Sequence, residues 1–123
     1  MPNPVEVIRD LIVADSGLPS DTTHGTSVPT GKPTAPYVQY AWDGTPSDAD
    51  NRENTAIRVT VWTPKGRVSD AQDIAGGLRQ RLLAASHTSA WRIDRGPGRL
   101  PGIDPDTGLP FCTFGLNVSL HLT

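Results

Sequence analysis

Thr55-Ala56-Ile57-Arg58-Val59-Thr60-Val61-Trp62, then Thr63-Pro64-Lys65-Gly66, then Ser69 through Ala85, is the stretch on which the fold turns. In the first segment Ile57, Val59 and Val61 share one face, and Arg58, Thr60 and Trp62 share the other. Alternation in β-branched residues is the pattern of a half-buried strand. Pro64 cannot donate to a strand ladder and Gly66 eases the turn, so the strand stops there. Ser69-Asp70-Ala71-Gln72 reads as a capping box, with Ser69 as N-cap and Gln72 at the third helical position. Ala71, Ile74, Ala75, Leu78, Leu82 and Ala85 then recur at steps of three and four, which draws one apolar stripe along a helix. A strand with one apolar face and a helix with one apolar stripe cover each other, and the core is expected to start here.

The rest of the chain is read outward from that unit. The 123 residues suit a single domain, 1–123, whose core covers roughly two thirds of its unfolded surface. Hydrophobic residues make up 36% and charged residues 20%, while Gly and Pro number 12 each, so turns and loops take much of the length. A net charge of -2 supplies no basic field and speaks against sequence-independent nucleic-acid binding. Cys112 is the one cysteine, so no internal disulfide demands an oxidising compartment. No apolar run approaches the ~20 residues that span a bilayer. Arg9 and Asp10 interrupt the only stretch resembling a secretory leader, and a cytoplasm-like setting is expected.

Asn3-Pro4-Val5-Glu6 opens a helix by the usual rules, with Asn3 as cap and Pro4 at the first position. Val5, Ile8, Leu11 and Ile12 form its apolar side, and Ser16-Gly17 with Pro19 end it. Asp21 to Val28 reads as an outer strand, and Pro29 to Pro36, with three prolines, as an extended connector. Tyr37 to Trp42 is a second alternating strand. Asp43 to Asn54 turns polar, with Asp43, Asp48, Asp50 and Glu53 against one Arg52, and reads as a long loop. Trp91-Arg92-Ile93 begins another strand, and Arg95 to Pro110 reads as a second long Gly/Pro loop. Cys112, Phe114, Leu116, Val118, Leu120 and Leu122 then face one way in a long closing strand, expected to pair with Thr55–Trp62. The class is α+β, a mainly antiparallel sheet with two helices packed on one face. The other face is left showing Thr, Arg, Asn and Ser, for water or for a neighbouring copy.

Chemistry-bearing motifs are sparse. His24, His87 and His121 fall on different elements with no metal-ligand spacing. Cys112 falls on the inward side of the last strand, where a buried, inert thiol is the plain reading. No nucleophile elbow, zinc helix, phosphate loop or dinucleotide fingerprint is present. Asp104-Pro105-Asp106-Thr107-Gly108 has the opening spacing of a calcium loop but lacks its closing ligands. A tight turn, with Asp as side-chain acceptor and Gly at positive φ, is expected instead. Asn117-Val118-Ser119 matches a glycosylation acceptor only formally. No catalytic, cofactor-binding or metal-binding residues are expected. Trp42, beside the acidic loop, is the tryptophan best placed to meet another chain.

Together these pieces resemble the small tail-terminator, or tail-completion, proteins of long-tailed bacteriophages, especially those of actinobacterial hosts. The resemblance rests on Pro4-Val5-Glu6-Val7-Ile8-Arg9-Asp10-Leu11, on Pro36-Tyr37-Val38, on Ile57 to Trp62 and on Ala71-Gln72-Asp73-Ile74-Ala75. The Arg99–Pro110 segment before a long closing strand completes it. It spans most of the chain and lies in element order and patterning. It implies a non-enzymatic, ring-forming α+β subunit without cofactor, assembled as a hexameric ring in the host cytoplasm and resident in the virion at the head-proximal end of the tail. Such a ring caps the tail-tube protein and presents a surface to the head–tail connector, while DNA passes through its channel without specific binding. Contacts with neighbouring copies, tube or channel are then expected at Trp42, Asp43, Asp48, Asp50, Arg52 and Glu53, and at Arg95, Arg99, Asp104 and Asp106. Two other readings compete: a head-closure adaptor or minor tail protein of the same neck, and a small ligand-binding α+β domain.

Overall fold

The computed structural model describes residues 4–29, 33–42, 54–85 and 91–120. In chain order they form α1 (Pro4–Val13), β1 (Thr23–Gly25), β2 (Tyr37–Trp42), β3 (Asn54–Trp62), α2 (Val68–Ala85), β4 (Trp91–Arg95), β5 (Leu100–Ile103) and β6 (Pro110–Leu120). The strands lie in the order β1-β2-β3-β6-β4, and β5 also pairs with β6. Every pairing is antiparallel except that of the three-residue β1 with β2. The fold is α+β, and the outer strand expected within residues 21–28 is present as the short β1. The proposed cap Asn3, the acidic connection 43–53, His87, His121 and Leu122 lie outside the described residues.

Alternation in the sequence becomes one apolar sheet face through register. Val38 pairs with Val61 and Tyr40 with Val59. Ile57, Val59 and Val61 in turn meet Leu116, Phe114 and Cys112, and Ile93 meets Val118. Ala71, Ala75, Leu78 and Leu82 of α2, with Ile8 and Ile12 of α1, close over that face in a single core. Each large side chain fully withdrawn here, such as Phe114, Ile57, Leu78 or Leu116, contributes about 1.5–3 kcal/mol of transfer free energy. Both helices therefore pack on one side of the sheet, as the patterning requires.

The turn into α2 differs in detail from the expected capping box. The helix begins at Val68, so Ser69 lies inside its first turn. Thr63 sets the entry instead: its backbone N–H donates to Pro110 O at 3.1 Å, and its hydroxyl donates to Arg67 O at 2.8 Å. Arg67 Nε then donates to Asp70 Oδ2 at 2.6 Å. This hydroxyl fixes the turn ahead of α2 by donating to a carbonyl; it is not an N-cap, whose side-chain oxygen accepts from the first N–H groups of the helix. Likewise α1 ends at Val13, ahead of Ser16-Gly17. Asp15 organises the exit, accepting from Gly17 N at 2.9 Å and from Arg81 Nε at 2.8 and 2.9 Å.

The largest departure is residues 95–110, which are not a long loop. Arg95 ends β4, and Leu100–Ile103 is a strand along the same edge of β6. Between them the chain bulges where two backbones nearly touch. Gly96 N donates to Gly115 O at 3.1 Å and Gly115 N to Pro97 O at 3.0 Å. A Cβ on Gly96 would stand 2.7 Å from the carbonyl carbon of Gly115, so no side chain fits. Pro101 is tolerated in β5 because an edge strand can leave its missing N–H on the open side. Asp104 to Leu109 then forms the tight turn read from the sequence. Thr107 Oγ1 donates to Asp104 Oδ2 at 2.6 Å, Gly108 N donates to Asp104 O at 2.8 Å, and Gly108 has φ +74, a conformation suited to glycine.

The second sheet face is also less open than expected. Thr60 and Trp62 point to it, yet they are only 8% and 7% exposed. Trp62 Nε1 donates to Gln39 Oε1 at 3.0 Å, and its ring packs on Phe111 with centroids 5.2 Å apart. Thr60 Oγ1 donates to Thr113 Oγ1 at 3.0 Å, and Thr113 Oγ1 donates to Val59 O at 3.2 Å. A small aromatic and hydroxyl island thus covers the middle of a face read as bare.

Candidate interaction surface

Three features of the described surface can engage another molecule, and they lie on different parts of the sheet. The first is the outer edge formed by β4 and β5. Among the described strands both pair only with β6, and β5 exposes Leu100 and Ile103 to 64% and 56%. An edge strand with free backbone groups and apolar side chains is a template for a second chain. On the second face Arg58, Pro97, Leu100 and Thr113 border a concavity of about 340 Å³ beside this edge.

The second feature is Trp42, 47% exposed at the end of β2. With Val5, Glu6, Arg9 and Thr26 it borders a concavity of about 390 Å³ between α1 and the sheet. Arg9 Nη2 bonds Asp10 Oδ1 at 3.0 Å, which raises the Arg9 pKa above its ordinary value. His24 Nδ1 and the Tyr40 hydroxyl share a hydrogen bond at 3.2 Å. That hydroxyl is raised above its ordinary pKa by burial, with Arg9 opposing and Asp10 adding a smaller push upward.

The third feature joins two residues that the sequence proposed with one that it did not. Arg95, at the end of β4, and Arg99, just before β5, converge with Arg79 of α2 around a concavity of about 450 Å³ that also includes Asp73. Arg79 Nε is buried and makes no hydrogen bond. Arg99 Nη1 reaches Gln72 O only at 3.5 Å. Two glycines of α2 lie under arginine side chains, one of them from this group. A Cβ at Gly76 would stand 2.5 Å from Arg99 Nη1, and one at Gly77 would stand 2.8 Å from Arg81 Nη1. Adjacent glycines inside an 18-residue helix cost about 1 kcal/mol each relative to alanine. Sequence reasoning missed Arg79 because it reads as one more polar residue on the outer helix face. The Gly76-Gly77 pair, anomalous at mid-helix, was the available signal.

The other proposed residues fall elsewhere. Asp104 is committed to the turn between β5 and β6, and Asp106 is exposed at that turn, away from the arginines. Asp43, Asp48, Asp50, Arg52 and Glu53 lie outside the described residues. Cys112 is a free thiol, 1% exposed within the core. Burial pushes its pKa up, while Arg99 pulls it down to a lesser degree, so the thiol stays protonated and inert at neutral pH. Among the described residues no group of three or more His, Cys, Asp or Glu is placed to hold a metal ion, and no helix is long and apolar enough to cross a membrane. The sequence matches no protein-family model and none of the curated proteins it was compared with.

Proposed function

We propose that this chain is a structural subunit of the tail-terminator type. Copies of it, about six as the resemblance implies, form a closed ring on the head-proximal end of a tail tube. The ring stops tube growth and offers its far surface to the head connector, and DNA passes through it without specific contacts. The observation that carries this reading is the open β4–β5 edge with Leu100 and Ile103 exposed on it. A monomer has no use for an apolar edge, whereas a ring covers it. The sequence resemblance supplies the particular assembly. Its elements run helix, strands, helix and long closing strand, the order in which they occur here.

Electron microscopy of tails grown without this chain tests the assignment. Over-long tubes are the expected result. Tubes of normal length that fail to join heads would overturn termination and favour a connector adaptor in the same neck.

A further inference from the structure

We propose that the concavity between α2 and the β4–β5 edge is a binding site for a dianionic phosphate monoester, with Arg79, Arg95 and Arg99 as its donors. The proposal goes beyond the ring reading and does not depend on it. The three arginines arrive from a helix, a strand end and a connection. Arg95 ends β4 on the same side as Ile93, which pairs with Val118 of the core. Arg99 approaches from beyond the Gly96 bulge and lays its Nη1 over Gly76 of α2. Arg79 stands one turn beyond Ala75 and Gly76, at the border of the buried stripe, and its Nε is enclosed without a hydrogen-bond partner. Buried donors are ordinarily bonded, so this one calls for an acceptor. Among the described residues no carboxylate forms an ion pair with any of the three, although Asp73 borders the concavity.

Charge and size select the ligand. Among the described residues that border the site, three guanidinium groups stand against one carboxylate, which leaves two positive charges in excess. A phosphate monoester carries about −1.5 to −2 at pH 7, whereas a carboxylate or a phosphodiester carries one negative charge. Planar guanidinium forks also match pairs of phosphate oxygens through parallel hydrogen bonds. The volume, about 450 Å³, falls within the ~300–1,000 Å³ of small-molecule sites and exceeds what a bare phosphate fills. Leu83 and the uncovered surface at Gly76 offer an apolar wall to the organic part of the ester. The positive charge is local, because the whole chain carries -2. A long polyanion therefore meets repulsion beyond the site, and a compact one does not.

The test is calorimetric titration of the full chain with phenyl phosphate and with methyl phenyl phosphate, a similar body with one charge fewer. The monoester should bind saturably at about 1 mM or tighter, and the diester at least about tenfold more weakly. Arg99→Gln and Arg79→Lys should each weaken monoester binding roughly tenfold or more, the second by losing the fork while keeping the charge. Gly76→Ala keeps the test decisive even where an arginine variant unfolds. Its Cβ would stand 2.5 Å from Arg99 Nη1, so binding should weaken while the melting temperature holds or rises. Arg92→Gln removes the same charge from the opposite side of β4 and should leave the affinity unchanged. No saturable binding would overturn the proposal, as would equal binding of monoester and diester, or an equal loss in Arg92→Gln. A 5′-phosphorylated oligonucleotide and its unphosphorylated form separate the sources of the group. Tighter binding of the phosphorylated form than of phenyl phosphate supports a nucleic-acid end, and the reverse supports a small molecule. Equal binding of both oligonucleotides would mean backbone diesters and would overturn the proposal. Monoester binding seen only after Asp48→Asn with Asp50→Asn would mean that the chain's own carboxylates hold the arginines, and would overturn it too.

Discussion

The two faces of the sheet are built on different physics. The helix-covered face is apolar and closed, with Val59, Phe114, Leu116 and Val118 at 0–1% exposure. The opposite face is shielded by a few directional contacts: the Trp62 indole on Gln39, the Trp62 ring on Phe111, and the Thr60–Thr113 hydroxyl pair. The first face holds the fold by transfer free energy, which is large and non-directional. The second is trimmed enough to persist in water yet stays open along β5. The difference teaches that this domain needs only one complete face, which frees its edge and rim for other surfaces.

The sharpest way to break that contrast is in the core. Phe114→Ala should cost about 3–5 kcal/mol, through lost burial and the cavity left behind, read by chemical denaturation. Next comes the seam between β4 and β5. Gly96→Ala places a Cβ against the Gly115 backbone and should cost about 1–3 kcal/mol. It should also speed amide exchange in 96–103 ahead of β3, since the strain falls on the edge.

On the opposite face Trp62→Phe keeps a ring against Phe111 but removes the donor to Gln39. About 1 kcal/mol is expected. A cost as large as that of Phe114→Ala would mean that both faces are cores.

The smallest effect is set by pH. Cys112, Tyr37 and Tyr40 are each raised above their ordinary values of 9.0, 10.0 and 10.0, chiefly by burial. A group raised in the fold stabilises it fully below its ordinary value and loses that contribution as pH climbs through the raised one. Stability contributed by these groups should be level through neutral pH and decline above about pH 9. Cys112→Ala should soften the first part of the decline.

How much of this was legible depended on whether local pattern and partner agreed. Ile57-Val59-Val61 and Phe114-Leu116-Val118 declare their strands by alternation, and the two strands pair as expected. Ala71, Ala75, Leu78 and Leu82 declare the helix in the same way. Leu100-Pro101-Gly102-Ile103 carries no such pattern. It is a strand because β6, already fixed by its pairing with β3, offers it a second edge. Its Gly102 leaves room for the Phe111 ring, which a Cβ would meet at 2.6 Å. Long-range pairing overrode local composition there. Ser69 had the right neighbours for a cap, but the helix starts one residue ahead of it, at Val68. Of the three arginines at the concavity, the sequence reading named Arg95 and Arg99 and did not name Arg79. Their convergence depends on how β4 lies against α2, which no single stretch encodes.

The most direct measurement is the mass of the purified chain by light scattering across a hundredfold range of concentration, alone and after mild cross-linking. A closed species of about six copies, the number the resemblance implies, dispersed by high salt, is the expected result. A single-copy mass throughout, unchanged by cross-linking or salt, would contradict a subunit completed by its own neighbours.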